Sequence, residues 1–208
     1  MEKRIIYFEK PGPTNTEKTL GLALEEAKAR NIGKIVLAST RGVTAVQAAD
    51  LLAGTSIKLV VVPHQFGFMN YKQHFTPETV EKLEAQGHKV HFGTMLFHTD
   101  GFYGSGTPEA MAMVLRTICQ GIKVAVEIVL MAADGGHLAP GEEVVVVTGT
   151  GRGADTAVIA QAATSSKLQD LHITEILCKP LTTYSWPRGT SPHDPPKNQT
   201  RTSDENAD

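Results

Sequence analysis

Short apolar runs alternate with segments of helical periodicity along most of the chain. Apolar runs bounded by turn residues are typical of buried strands, whereas longer segments with apolar positions three and four residues apart are typical of helices. On this basis we expect strands at about residues 3–8, 34–39, 58–63, 88–97, 142–147 and 173–179. Helices are expected at about residues 14–33, 41–52, 76–87, 107–133 and 154–164.

Several of these predicted helices carry recognisable end signals. Thr14 and Glu17 have the spacing of a capping box, and Gly33 fits the position that follows a helix. Thr76, followed by a proline, predicts another helix start, and Gly87 predicts the end of that helix.

The alternation predicts an α/β fold. Strands that are apolar on both faces belong to a mostly parallel sheet of about six strands with helices on both faces, a three-layer sandwich. We expect one domain over residues 1–181 and a tail over residues 182–208 that is rich in Pro, Thr, Ser and Asp. Few apolar residues occur in this tail, so we expect it to be mobile. Trp186 either anchors the start of the tail to the domain or is exposed.

Composition and charge narrow the class of protein. The 208 residues carry a net charge of −2, so neither nucleic acid nor an anionic membrane is indicated as a partner. No secretory leader is evident at the N-terminus, and Cys119 and Cys178 form no CxxC pair. We therefore expect a cytoplasmic protein with reduced thiols.

The long apolar segment at residues 107–133 has two interpretations. It is apolar over much of its circumference, so it lies either in the centre of the core or in a subunit interface, which leaves a homo-oligomer as one alternative. Lys123 and Glu127, four residues apart in this segment, have the spacing of a helical ion pair.

Two of the segments that follow strands resemble each other. In an open α/β sheet, ligands bind at the carboxyl ends of the strands, so the residues after each strand are the candidates for function. TRGVTAV after the second strand and GRGADTAV after the fifth share Arg-Gly followed by Thr-Ala-Val. Glycines let backbone amides approach an anion, and free amides at a helix start favour negative charge. The candidate phosphate-binding residues are Ser39, Thr40, Arg41, Gly42, Val43 and Thr44, with Thr148, Gly149, Thr150, Gly151, Arg152, Gly153, Asp155 and Thr156.

Known nucleotide motifs do not fit these loops. Gly149, Gly151 and Ala154 have dinucleotide-fingerprint spacing, but the next predicted strand does not end in the acidic residue that the fingerprint requires. A Walker A loop is excluded because no Gly-Lys-Ser/Thr is present.

His88 and His91 point to opposite faces of a strand, so no metal site is expected. Asp100 and Asp155 are the loop carboxylates worth testing as bases, although structural roles are favoured for both, and no catalytic residue is assigned.

Three stretches together resemble a known family. Asn15-Thr16 at the first helix start, KIVLASTRGVTA and EEVVVVTGTGRGADTA are similar to the C-terminal α/β domain of pyruvate kinase, and in particular to stand-alone archaeal and bacterial proteins of that type. The resemblance covers about residues 1–180. It implies that the Ser39–Thr44 loop holds a phosphate and that the loop from Gly149 to Thr156 forms a second wall. It also implies binding of flavin mononucleotide (FMN) and no kinase activity, because the kinase chemistry belongs to a different domain.

Two further loops fit the ring of such a cofactor. His64, Gln65, Phe66 and Gly67 follow the third strand, and Thr94 and His98 lie near the end of the fourth. An isoalloxazine ring needs an aromatic or apolar wall and hydrogen-bond donors, which these loops contain. The alternative is that the phenylalanines only pack in the core or a lid.

The sequence therefore leaves two main functions open, and a small phosphotransfer or hydrolytic enzyme is a third for which no motif is present. The first is binding of FMN, with a flavin-dependent redox role on an unknown substrate if the protein is an enzyme. The second is a non-catalytic sensor or regulatory domain for a sugar phosphate. In both, the partner is a small phosphorylated ligand.

Overall fold

The computed structural model describes residues 2–68 and 73–182. A seven-stranded sheet has the strand order β1-β7-β6-β5-β2-β3-β4. Its pairs are parallel except the two that β6 makes, so the remaining strands all run in one direction. The strands are β1 (Ile6–Phe8), β2 (Lys34–Ala38), β3 (Lys58–Val62), β4 (Lys89–Val90), β5 (Glu143–Thr148), β6 (Thr156–Gln161) and β7 (His172–Pro180).

Helices cover both faces of this sheet, which confirms the predicted α/β class. Ile35 and Leu37 of β2 pack into one core with the first three helices, whereas Val36 packs into a second core with the helix at Gln120–Asp134. The alternation follows from the pleat, which sends successive side chains to opposite faces. The helices are α1 (Thr16–Ala29), α2 (Val43–Leu51), α3 (Pro77–Ala85), α4 (Asp100–Tyr103), α5 (Thr107–Arg116) and α6 (Gln120–Asp134), with 3₁₀ turns at Pro13–Asn15, Leu96–His98 and Ser165–Asp170.

The prediction of a helix at residues 154–164 is wrong. This segment forms β6, which returns antiparallel along β5 with Thr148 opposite Thr156 and Val146 opposite Val158. Its residues Thr156 to Ala160 are buried on both faces between β5 and β7. A short run of small apolar residues suits a strand in that position, because such a run carries no periodicity that separates strand from helix.

The predicted long helix is divided in two. α5 ends at Arg116, and Cys119, with an extended backbone at φ −177°, is the N-cap of α6. The Cys119 sulfur accepts a hydrogen bond from the Ile122 amide at 3.4 Å, and Arg116 Nε donates to Gln120 Oε1 at 2.8 Å across the break. The two helices therefore have separate surroundings: α6 is buried over most of its length, as the core interpretation expects, whereas Ala112 is the one buried residue of α5.

The helix-end predictions had mixed outcomes. Thr76 accepts the Thr79 amide, and Gly87 has a left-handed φ of 80° after α3, which confirms both signals there. The prediction of a capping box at Thr14 is wrong, because α1 begins after Asn15 without a side-chain cap. Gly33 does not follow that helix directly either. Asn31 takes the left-handed conformation, with φ 57°.

The predicted strand at residues 88–97 is reduced to the two residues of β4 at the edge of the sheet, and the N-terminal strand begins only at Ile6. The predicted tail, with Trp186, lies outside the described residues apart from its first position. Within residues 2–68 and 73–182, no helix combines the length and apolarity needed to cross a membrane.

Candidate functional site

The carboxyl ends of β5, β2, β3 and β4 lie side by side at one edge of the sheet. These strands are consecutive neighbours and run in the same direction, so the loops that follow them form a continuous rim. The rim consists of residues 149–155, 39–42, 63–68 and 91–95, together with the 3₁₀ turn that follows. The candidate binding residues from the sequence lie in these loops or in the strand and helix ends that adjoin them, namely Thr148, Thr156, Val43 and Thr44.

The loop after β2 leads directly into α2. Gly42, the N-cap, has a left-handed φ of 85°, which a glycine adopts without the strain that a side chain would bring. Ser39 Oγ accepts the Ala45 amide at 3.3 Å. Val43 and Thr44 lie in the first turn, where a helix offers no acceptor for their amides, and neither amide donates to another described residue. This helix start therefore offers free donors to an anion.

Arg41, two residues before these donors, is exposed, as is the Val43 side chain, while Ser39 and Thr44 are buried. The guanidinium of Arg41 is thus available to a bound anion from the solvent side. Its planar set of donors suits a phosphate group.

The glycine-rich segment after β5 is a hairpin loop, so it contributes no helix dipole to the site. Its buried anchor is Asp155, whose Oδ2 accepts the Thr150 amide at 3.1 Å and the Gly12 amide at 3.0 Å. Asp155 Oδ1 accepts the Thr156 hydroxyl at 2.8 Å. Asp155 is fully buried and has a structural role, as expected, but it orders a hairpin rather than capping a helix.

A second set of contacts fixes the same loop to the start of α1. Ala154 donates its amide to Thr16 Oγ1 at 3.0 Å. Gly153, with φ 71°, lies so close to Pro13 that a Cβ would be 2.5 Å from the Pro13 Cα. On another side, Thr148 at the end of β5 donates its hydroxyl to the Gly121 carbonyl of α6 at 2.8 Å. These groups hold the loop in place, while Gly151 and Arg152 are exposed on its outer side.

His64 links the loops after β2 and β3. Its Nε2 lies 3.3 Å from Thr40 Oγ1, and its Nδ1 is buried with no hydrogen-bond partner among the described residues. Burial is the main cause that lowers the pKa of His64 to about 4, and the positive charge of Lys123 and then His74 add to it. The ring is therefore neutral at neutral pH, and it can donate from only one of its two nitrogens.

The loop after β3 is tied to the loop after β4. Gln65 Oε1 accepts the Met95 amide at 2.7 Å, next to the candidate Thr94, which is exposed. Gly67, with φ 80°, turns the chain back after Phe66. Gln65 is therefore engaged within the protein.

The aromatic residues of the rim differ in exposure. Phe66 is 66% exposed, and its ring centroid lies 4.9 Å from that of Phe92. Phe68 lies between His64 and His98, with centroid separations of 4.8 and 5.0 Å. Phe68 thus fits the packing alternative, whereas Phe66 has a free face that a planar ligand can cover.

A buried charge cluster lies beneath His98. Lys123 and Glu127 form the predicted ion pair, with Nζ 2.5 Å from Oε2, and both are almost fully buried. Lys123 Nζ also lies 3.0 Å from His98 Nε2, and Glu127 Oε1 accepts the Phe97 amide at 2.9 Å. Burial is the main cause that lowers the pKa of Lys123, and Glu127 opposes it. The spacing predicted the pair, but no sequence signal indicated its burial or its contact with His98.

The other titratable candidates have local partners. His88 Nδ1 accepts the Leu59 amide at 3.2 Å, and His91 Nδ1 lies 3.2 Å from His137 Nε2. Asp100 begins α4, and its Oδ1 accepts the Glu109 amide at 3.3 Å. Over the described ranges, no three histidine, cysteine, aspartate or glutamate side chains are grouped in a way that could hold a metal ion.

Comparisons with known proteins give distant neighbours. No protein-family model matches the chain. A pyruvate kinase from Cryptosporidium parvum is 15% identical, with a TM-score of 0.41, over 71% of this chain and 23% of that protein. The Cryptosporidium parvum pyruvate kinase in complex with ADP is 16% identical, with a TM-score of 0.41, over 71% and 24%. This chain spans about a quarter of the length of these kinases. Similarity at this level carries no conclusion about binding or activity.

Proposed function

We propose that this chain binds a phosphorylated small molecule at the carboxyl edge of its sheet, and that this molecule is FMN. The observation that carries the proposal is the start of α2, where the Val43 and Thr44 amides have no partner among the described residues. The loop that leads to these amides and the hairpin loop follow two neighbouring strands, β2 and β5, at the same edge of the sheet.

The phosphate is assigned to this helix start for electrostatic reasons. The positive end of the helix dipole and the free amides act on the same anion. Arg41 and Arg152 are exposed on the two loops that border this position, so both can supply a cation. The hairpin contributes amides and Arg152 but no dipole, which makes α2 the main source of affinity.

The ring of the ligand is assigned to the loops after β3 and β4. Neutral His64 joins the loops after β2 and β3 through its contact with Thr40, and Phe66 offers an exposed aromatic face. The planar isoalloxazine ring of FMN can stack on an aromatic face, whereas most of the surface of a sugar phosphate consists of hydroxyl groups that need polar partners. Phe66 is therefore the feature that favours FMN over a sugar phosphate.

Titration of the purified protein with FMN tests the proposal. We expect flavin absorbance between about 370 and 450 nm in the bound fraction, and a free energy of unfolding raised by about 2.7 kcal/mol when FMN is present at a hundred times its Kd. Failure of FMN to bind or to stabilise the protein would refute the FMN assignment. Stabilisation by sugar phosphates in the same assay would then identify the sensor alternative.

Two arginine variants locate the phosphate. Arg152→Ala should weaken FMN binding by about 1–3 kcal/mol, because it removes a charge-assisted hydrogen bond. Arg4→Ala is the matched control. Arg4 is exposed and precedes β1, so it lies at the amino ends of the parallel strands, away from the carboxyl ends that form the rim. Equal affinities of the two variants would remove Arg152 from the site.

A further inference from the structure

Gln73 joins two parts of the chain that are not neighbours in sequence. A glutamine side chain carries both a hydrogen-bond acceptor and a donor, and here each has a backbone partner. Oε1 accepts the backbone amide of Phe75 at 2.9 Å, and Nε2 donates to the carbonyl oxygen of His64 at 3.1 Å. This partly buried glutamine therefore ties the loop after β3 to the segment that leads into α3.

The first of these ties acts on the backbone that carries Phe66. The carbonyl that accepts from Gln73 belongs to His64, two residues before Phe66. Gln65, between them, is fixed to the loop after β4, because its Oε1 accepts the Met95 amide at 2.7 Å. The approach to Phe66 is thus held at two consecutive residues by two different neighbours, and Gln73 is one of them.

The second tie acts through a row of three aromatic side chains. The ring centroid of Phe66 lies 4.9 Å from that of Phe92, which in turn lies 6.1 Å from that of Phe75. Phe75 is 2% exposed and Phe66 is 66% exposed, so the row runs from the core to the rim. Gln73 holds the backbone of Phe75, the buried end of this row, and so reaches Phe66 by a second route.

The buried end of the row also lies against the start of α2. A Cβ at Gly42 would be 3.6 Å from Phe75 Cε2 and 2.8 Å from Thr79 Cγ2. Gly42 is the N-cap of the helix to which the phosphate is assigned. The segment from Gln73 to Thr79 therefore contacts both ends of the proposed site, the phosphate end at Gly42 and the ring end at His64.

We propose that Gln73 is a positioning residue of the ligand site, which sets the aromatic wall at Phe66 relative to the helix start at Gly42. This inference rests on the proposed function, because it takes the ring of the ligand to lie on Phe66 and the phosphate to lie at α2. FMN joins a ring and a phosphate in one molecule, so its affinity depends on a preformed spacing between the two parts of the site. Inorganic phosphate has no ring and does not depend on that spacing.

The variant Gln73→Leu separates these two ligands. It removes both hydrogen bonds, keeps a side chain of similar size and adds no charge. We expect the Kd for FMN, measured by calorimetry, to rise about tenfold, because the wall loses its fixed place. The Kd for inorganic phosphate should change by less than about twofold. The start of α2 keeps its own hydrogen bonds, such as that from the Val46 amide to the Gly42 carbonyl.

Gln169→Leu is the matched control. Gln169 is exposed and lies in the 3₁₀ turn at Ser165–Asp170. That turn follows the end of β6, where Gln161 pairs with Glu143, the first residue of β5, so it lies at the amino ends of the parallel strands. We expect this variant to bind FMN and inorganic phosphate with the affinities of the parent protein.

The circular dichroism of the flavin bands distinguishes positioning from a loss of stability. These bands, between about 370 and 450 nm, report the surroundings of the bound ring, and at saturating FMN they should differ between Gln73→Leu and the parent protein. Equal losses of affinity for FMN and inorganic phosphate would overturn the proposal. A lowered melting temperature with unchanged FMN affinity would also overturn it and leave Gln73 a purely structural role. If the parent protein itself does not bind FMN, the proposed function fails, and this inference falls with it.

Discussion

Replacing Asp155 with alanine should be the most destabilising single change in the hairpin loop. The side chain is fully buried and accepts hydrogen bonds from the amides of Gly12 and Thr150 and from the hydroxyl of Thr156. Alanine leaves all three donors without this acceptor in a region that water does not reach. Each buried donor without a partner costs about 1–3 kcal/mol, so we expect a total loss of about 3–5 kcal/mol after allowing for relaxation.

Urea unfolding followed by circular dichroism measures this loss. For a domain of this size, the melting temperature should fall by about 10 °C. Asp155→Asn keeps one acceptor oxygen and should lose roughly half as much. The control is Asp134→Ala, because Asp134 Oδ1 accepts one exposed hydrogen bond from the Ser165 amide. We expect that change to cost less than about 1 kcal/mol. If both alanine variants lose the same free energy, Asp155 does not hold the loop as described.

Three further predictions concern the rim and the cluster beneath it. The pKa of His64, lowered to about 4, means that the unfolded chain binds the proton more tightly, so stability should fall by about 2 kcal/mol between pH 7 and 5. His64→Asn should reduce the slope of stability against pH, and an unchanged slope would refute this. Lys123→Met should cost about 3–5 kcal/mol because it leaves Glu127 buried alone, whereas Lys123→Met with Glu127→Gln should cost less. Chemical unfolding measures the free energy of unfolding of the single and the double variant. Equal losses of that free energy would argue against a coupled pair. Gly42→Ala should destabilise the protein more than Gly54→Ala and should also weaken ligand binding. Both glycines have a positive φ, but only at Gly42 would an added Cβ clash with a neighbouring side chain, that of Thr79 at 2.8 Å. Melting curves and FMN titrations that do not separate these two variants would contradict the prediction.

The sheet was predictable because its strands are apolar on both faces. Runs such as Val144 to Val147 have few alternatives to a central strand, and they are fully buried in the structure. The direction of β6 was not predictable in the same way. A glycine-rich turn followed by small apolar residues is compatible with a helix and also with a strand that returns as a hairpin. Tertiary pairing with β5 and β7 decides between the two.

The break between α5 and α6 shows a second limit. Thr117, Ile118 and Cys119 contain neither proline nor glycine, so the periodicity continues across them without a stop signal. The N-cap of α6 is a cysteine sulfur, which is a weak acceptor and not among the residues that identify a helix start. The packing of α6 against the sheet fixes this start, and that contact is not local in sequence.

The position of the rim was easier to predict than its chemistry. A loop after β5 lies at the carboxyl edge whether the next element is a helix or a returning strand, so the two glycine loops are neighbours in either case. In the proposed site their roles differ, because the loop after β2 leads into a helix start and the loop after β5 leads into a returning strand. The hairpin is held in position by Gly12, Pro13 and Thr16, which contact it across more than a hundred residues of sequence. The N-terminal segment before α1 therefore shapes the proposed phosphate site without contributing a phosphate ligand. Substitutions there should change ligand affinity only to the extent that they move the hairpin.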